Sequence, residues 1–223
     1  GGDRVLGSIV LENYERENAF GESEIRLLAT VAASMGVALE NARLFAETQR
    51  LLKETQRRGR EATALADVGR DLSSTLDLAT VMDRIAAHAK DLLATNDSAI
   101  FLPAPDGRNY RAIVALGASA AQIKATSIVA GEGIIGRLLQ SGQPEFINDT
   151  QADPRAVLIP GTQPQHDERM MAVPLVAGDQ VQGAMAVWRT GGSPFEPHEL
   201  EFLVGLSLQA AVALQNARLF NET

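Results

Sequence analysis

Along the first third of the chain, apolar positions recur at a spacing of three and four. Phe20-Gly21-Glu22-Ser23-Glu24 has the character of a helix start. Leu28, Val31, Met35, Ala38, Leu39, Ala42 and Phe45 follow at helical spacing. No proline interrupts the next stretch, and Gly59 and Gly69 cost a helix only about 1 kcal/mol each. The pattern predicts one helix from about Glu22 to about Ser73, roughly 75 Å long at about 1.5 Å per residue. Leu44, Thr48, Leu51, Thr55, Arg58, Ala62, Leu65, Gly69 and Leu72 continue as a heptad seam with leucine-rich ends and a polar middle. Pairing of two such helices is expected over the alternative of one solvated helix, because a lone helix of this length has little packing to support it.

Ser73-Ser74-Thr75-Leu76-Asp77 breaks this helix and caps the next. Leu78, Val81, Met82, Ile85, Ala89, Leu92 and Leu93 then make one apolar stripe. Strands are predicted at Val5–Leu11, Ala99–Pro103, Tyr110–Leu116, Thr126–Ala130, Glu145–Asn148, Arg169–Val176 and Gln180–Arg189. Turns at Pro105-Asp106-Gly107 and Ala177-Gly178-Asp179 join two pairs of them. Glycines 131, 133 and 136 enclose a short helix at Ile134–Gln140, residues 149–168 read as a long proline-broken loop, and the last helix starts at Pro194-Phe195-Glu196-Pro197. Helix, antiparallel strands with short helices inserted, then helix is the order of an α+β domain with one sheet and helices packed on it.

The chain also ends as it begins. Residues 5–48 are echoed by residues 181–223, and Val37–Thr48 matches Val212–Thr223 at ten of twelve positions, at an offset of 175. An offset of about one domain length implies tandem copies of a whole domain rather than a solenoid. Residues 1–46 are therefore expected to be the C-terminal remnant of a preceding domain, 47–76 a helical coiled-coil linker and 77–223 a complete domain. The strand Val5–Leu11, separated from its upstream partners, is expected to pair with another chain or an exposed sheet edge.

Composition narrows the function. Net charge is −8 with scattered basic residues, which argues against a nucleic-acid surface. The chain has no cysteine; disulfides, thiolate metal sites, thiol redox chemistry and thioether-linked chromophores are excluded. No apolar run approaches the roughly 20 residues of a membrane span and no signal peptide is visible, so the default location is cytoplasmic, with no membrane partner. The three histidines, His88, His166 and His198, have no metal-ligand spacing, and no metal site is expected. Gly131–Gly136 lacks the Lys-Ser/Thr of a P-loop, and no Gly-x-Ser-x-Gly is present.

Four stretches, in order, resemble a GAF domain of bacterial signalling proteins. They are Gly131-Glu132-Gly133-Ile134-Ile135-Gly136; Phe146-Ile147-Asn148-Asp149 with Asp153-Pro154-Arg155; Met171-Ala172-Val173-Pro174-Leu175 leading to Gly183; and Phe195 with Glu199-Leu200 through Ala213–Leu219. The resemblance implies a GAF/PAS-like six-stranded antiparallel sheet with helices on one face and a ligand pocket on the other. It also implies a regulatory part of a longer protein whose output domain is a kinase, cyclase or phosphatase; no catalytic constellation is present, so a non-enzymatic module is expected, and the heptad seam with the alanine- and leucine-rich last helix predicts a parallel homodimer. Members that hold linear tetrapyrroles or reduce methionine sulfoxide do so through cysteines, which this chain lacks. The Asn-Lys/Phe/Asp-Glu signature of cyclic-nucleotide-binding members is not matched, since Phe195 is followed by Glu199-Leu200. The expected pocket lies between the sheet and segment 126–170. It is lined by Phe101, Ile128, Ile147 and Met171, with Asp149, Arg155 and His166 at its rim. A spacer domain with this space filled by its own side chains is the alternative.

Overall fold

The computed structural model describes residues 5–74 and 77–221, with side chains described for 5–66 and 77–219. The chain divides into two units, residues 1–59 and 60–223.

In the first unit, residues 5–21 form no regular element and α1 (Glu22–Ser74) begins. The Glu24 carboxylate accepts from the Gly21 amide at 2.9 Å, half of a capping box. The strand expected at Val5–Leu11 does not form. Ile9 and Val10 are exposed, and the six-stranded sheet takes up none of these residues. An extended segment becomes a strand only when a neighbour satisfies its backbone groups, and residues 5–59 contain no such neighbour.

The helical part of this unit carries an exposed apolar surface that the repeat divides in two. Val31, Met35 and Leu39 correspond to Leu206, Ala210 and Leu214 at the offset of 175; the first three are exposed and the second three buried. Val37 and Leu44 correspond instead to Val212 and Leu219, and all four are exposed. By length and composition, α1 over Glu22–Ala66 and the last helix over Pro197–Leu219 are apolar enough to cross a membrane. The expectation that no stretch comes near a span is corrected to that extent. The last helix buries much of its apolar window inside the fold.

The second unit holds the end of α1, then α2 (Leu78–Leu92), β1 (Asp97–Pro103), β2 (Asn109–Leu116), α3 (Ala120–Ala125), β3 (Ser127–Val129), α4 (Gly133–Ser141), β4 (Glu145–Ile147), β5 (Glu168–Ala177), β6 (Gln180–Thr190) and α5 (Pro197–Asn221). Asp77 caps α2, accepting from the Ala79 and Thr80 amides at 3.2 and 3.3 Å. Gly142, in the left-handed region at φ 66°, ends α4. The strands form one antiparallel sheet of order β3-β2-β1-β6-β5-β4. The α+β class and six-stranded antiparallel sheet hold, and α3 is the one short helix the sequence pattern does not anticipate.

Strand side chains alternate between faces, and the two faces are unlike. Ile100, Val114, Met171, Val173, Leu175, Met185 and Val187 share a core with α2, α5 and Ala64 of α1. The opposite face carries Ala99, Ala115, Ala172 and Ala186, which the register sets in one row across β5, β6, β1 and β2. Small side chains let a second layer approach closely, and Ile134, Ile135, Leu138 and Leu139 of α4 pack on this face.

At Gly136 the α4 backbone meets the edge strand β3. A Cβ there would stand 2.2 Å from the Val129 carbonyl oxygen. Gly136→Ala is therefore expected to destabilise the domain by at least about 2 kcal/mol, an overpacking cost set by backbone that cannot rotate away. Urea unfolding checks it; a midpoint within error of wild type overturns it.

Candidate functional site

Between the alanine-bearing face and the elements above it lies a cavity of about 250 Å³. Phe101, Met170 and Trp188 rise from the sheet. Ile123, the segment Thr126–Val129 and the first turn of α4 form one side, and Ala156–Pro160 of the long loop cover it. The walls are mostly apolar. Polar groups enter as the hydroxyls of Thr126, Ser127 and Thr150 and the carboxylates of Glu132 and Glu168. Among the described residues, no lysine, arginine or histidine lines it.

Thr150 and Glu168 join the loop to the sheet. The buried Thr150 donates its amide to the Glu168 carbonyl oxygen at 3.1 Å. Its hydroxyl lies 3.2 Å from that carbonyl and 3.1 Å from Glu168 Oε2, and can donate to one of them at a time. Burial raises the Glu168 carboxyl above its ordinary value, the Thr150 hydrogen bond opposes this, and the charge of Asp97 adds to it.

The loop is held by polar ties along its length. Asp149 accepts from the Gln151 and Ala152 amides, both at 3.1 Å, in an Asx turn. Gln151 reaches across to the Gln165 carbonyl at 3.1 Å. Arg155 clamps two carboxylates. Its Nε and one terminal nitrogen meet Asp153 at 3.0 and 2.7 Å, and its two terminal nitrogens meet Glu145 at 3.0 and 2.8 Å. That pairing holds Asp153 below the ordinary carboxylate value and raises the guanidinium. Just before the loop, Asn148 grips the backbone of Phe195. It accepts from the Phe195 amide at 2.6 Å and donates to its carbonyl at 3.1 Å. Near the same corner Arg189, buried, donates to the Leu93 and Ser193 carbonyls and to Glu199, and lies 4.1 Å from the Phe195 ring centre.

Of the expected pocket residues, Phe101 and Ile128 line the cavity. Ile147 packs against the same apolar cluster without reaching the lining. Met171 is corrected: it belongs to the core on the opposite face, and its neighbour Met170 supplies the wall. A shift of one residue in a strand changes the face. Arg155 and Asp149 are occupied in holding the loop, and His166 is exposed away from the lining. The first turn of α4, Thr150, Glu168 and Met170 lie in the expected segment 126–170 but were not named as lining residues, and Trp188 lies outside it. The alternation Glu168, Met170, Ala172 was available as a signal, but choosing its face requires knowing where the helices lie. Among the described residues, no group of three or more His, Asp and Glu comes together as a metal site.

The second unit is thus an α+β domain whose sheet packs α2 and α5 on one face and bears α4 and a loop-covered cavity on the other. Residues 77–214 match the family described as GAF domain, and the chain belongs to this family. It is 24% identical to the Nif-specific regulatory protein of Herbaspirillum seropedicae over 167 residues, which cover 72% of this chain and 30% of that protein. The GAF-B domain of DevS from Mycobacterium smegmatis superposes with a TM-score of 0.54 and 26% identity, over 66% of this chain and 98% of that one. Free methionine-R-sulfoxide reductase from Neisseria meningitidis, solved with its substrate, superposes with a TM-score of 0.62 and 16% identity, over 72% and 91% of the two chains. The chain is a sensory and regulatory domain of the kind found in signal-transduction proteins.

The two methionines give a test of the face assignment. Met171→Ala is expected to cost about 2–5 kcal/mol as a core truncation, and Met170→Ala, which borders a space already empty, to cost less. Urea unfolding of the two variants checks this, and a Met170→Ala variant that loses as much stability overturns the assignment.

Arg155→Ala is expected to lower stability by about 1–2 kcal/mol through loss of charge-assisted bonds in a partly exposed site. The sign with pH follows from Asp153. A depressed folded pKa adds stability above the unfolded carboxylate value and loses it as pH falls through the folded value. The wild type therefore loses more stability on acidification through the carboxylate range than Arg155→Ala does. Parallel acid titrations that do not converge overturn the clamp's role.

Proposed function

We propose that residues 77–223 are a complete GAF domain that binds a small molecule in the cavity and passes the change through its helices to an output domain. That output domain, a kinase, cyclase or phosphatase, belongs to a longer cytoplasmic protein. The observation that carries the reading is the cavity itself. Unfilled apolar volume costs about 24 cal/mol per Å³, so a domain serving only as a spacer gains by filling it with side chains. The hydroxyl that lies beside a carboxylate in the lining, Thr150 at Glu168, ties the loop to the sheet, so the lining supports binding rather than catalysis. Sulfoxide reduction by thiols is outside the reach of a chain without cysteine. Among the described residues the lining gives a cyclic nucleotide's phosphate no lysine, arginine or histidine to pair with.

A route from ligand to helix is supported by Asn148 and Phe195. The loop that covers the cavity begins at Asn148, which holds the backbone two residues before α5. A ligand favouring one loop arrangement shifts the helix only by its differential affinity for that arrangement.

The repeat supports a division into a GAF remnant at 1–46, a coiled-coil linker at 47–76 and the domain at 77–223. It also supports a parallel homodimer. Val37, Leu44 and Leu51 are exposed at heptad spacing, and the first two recur as exposed Val212 and Leu219. Leu65, counted in the seam from sequence, is spoken for: its side chain packs on Gly205 of α5.

Two measurements test these readings. Thermal-shift and native mass-spectrometric screening of small metabolites is expected to find a class that stabilises the domain; a screen with no binder leaves the spacer reading. Leu44→Asp with Leu51→Asp is expected to weaken the dimer, because the charges lose water in the seam. A wild type that stays monomeric in the ultracentrifuge at about 100 μM, where mass action favours association, overturns the dimer.

A further inference from the structure

The geometry points to a ligand with an apolar body and a cationic head, the head held by Glu168. This rests on the cavity being the ligand seat and goes on to the chemical class of its occupant.

The argument begins with charge. Glu132 and Glu168 are the ionisable side chains of the lining, and both are acids. Glu132 is exposed at the rim, so water screens it. Glu168 is half-buried, and its environment disfavours its charge: burial and the negative charge of Asp97 both push its carboxyl up. His166 of the loop is exposed away from the lining, and Arg169, next to Glu168 in β5, faces the other side of the sheet. Arg155 is committed to Glu145 and Asp153, and Arg169 sends its terminal nitrogen to the Gly191 carbonyl at 2.6 Å. An acid of this kind gains most from a cation that arrives with the ligand, because opposite charges interact more strongly where water is excluded.

Orientation comes from Thr150. Its hydroxyl is directed at Glu168 Oε2 or the Glu168 carbonyl, and its amide is tied to the same carbonyl. The residue is therefore anchored at its backbone and at one carboxylate oxygen, which leaves Oε1 as the acceptor. Met170 and Trp188 stand beside it on the same face of the sheet, where they supply the apolar surface for the ligand body.

One feature competes. The first turn of α4 also lines the cavity, and the positive end of a helix favours an anion. Glu132 precedes that turn at its cap position and brings its own negative charge there, which offsets the attraction.

The test uses three molecules of one shape on the whole chain: 2-phenylethylamine, 2-phenylethanol and 3-phenylpropionate. Affinities are read by ligand-observed and protein-observed NMR at neutral pH. The amine is expected to bind at least about tenfold more tightly than the alcohol, the difference a charge-assisted bond makes, and the carboxylate not to bind. Glu168→Gln is expected to bring the amine down to the level of the alcohol and leave the alcohol unchanged. Should that variant not fold, the wild-type ratio of amine to alcohol decides. Equal binding of amine and alcohol, tightest binding by the carboxylate, or a Gln variant that keeps the preference overturns the cation reading while leaving a ligand-binding cavity. Binding by none of the three overturns the cation reading as well; the ligand-seat reading falls only if the broad metabolite screen is also empty.

Discussion

Strand side chains alternate, so a single sheet has to furnish two surfaces, and in this protein they answer different demands. The face built from Ile100, Val173, Leu175, Met185 and Val187 is bulky and meets α2 and α5 in a filled core. The other has an alanine on each of four adjacent strands in register. Alanine fills little volume, so α4 can sit close to the sheet, and Gly136 lets its backbone come closer still to β3. The cavity is a consequence. Large side chains return only beyond the alanine row, at Phe101, Met170 and Trp188, and the space they bound is not closed by the sheet itself.

Closing that space falls to a loop, and a loop without secondary structure needs other ties. These are polar and distributed: an Asx turn at Asp149, the Thr150–Glu168 contact, the Arg155 clamp and the Gln151 crossing. Each is modest alone, since hydrogen bonds and partly exposed ion pairs contribute on the order of 1 kcal/mol net. A cover held this way keeps its shape yet opens more readily than a covalently or hydrophobically packed one. Asn148 and Phe195 give the same loop a direct mechanical neighbour at the start of α5. The cavity cover and the start of α5 therefore meet within a few residues.

The repeated helix makes a different point about context. Leu214 and Ala210 are buried against a sheet, while their counterparts Leu39 and Met35 are exposed. Nearly identical segments thus differ in what covers them. The outer residues Val37 and Leu44, and likewise Val212 and Leu219, are exposed in both copies, which separates the face that packs within the domain from one that stays exposed. Leu65, read from sequence as part of the heptad seam, packs on Gly205 within the domain's own core.

Element identity and order were legible from residues alone. Helical and strand periodicities are local, as are the cap at Asp77, the turn at Gly107 and the proline-broken stretch after Asn148, so α1, α2, the six strands of the sheet and α5 could be read within a few residues. Fold class and repeat followed from their order. The strand read at Val5–Leu11 failed for a non-local reason: pairing needs a partner, which a local pattern does not supply. The same limit governs the site. Periodicity says that Met170 and Met171 face opposite ways but not which way the cavity lies, since that is decided by where helices from distant parts of the chain dock. Charge type marked Arg155 and Asp149 alike as polar rim residues. Only the folded chain spends Arg155 on Glu145 and Asp153, turns Asp149 into a loop brace, and leaves Glu168 at the cavity wall, because those outcomes depend on distances between residues that the sequence keeps apart.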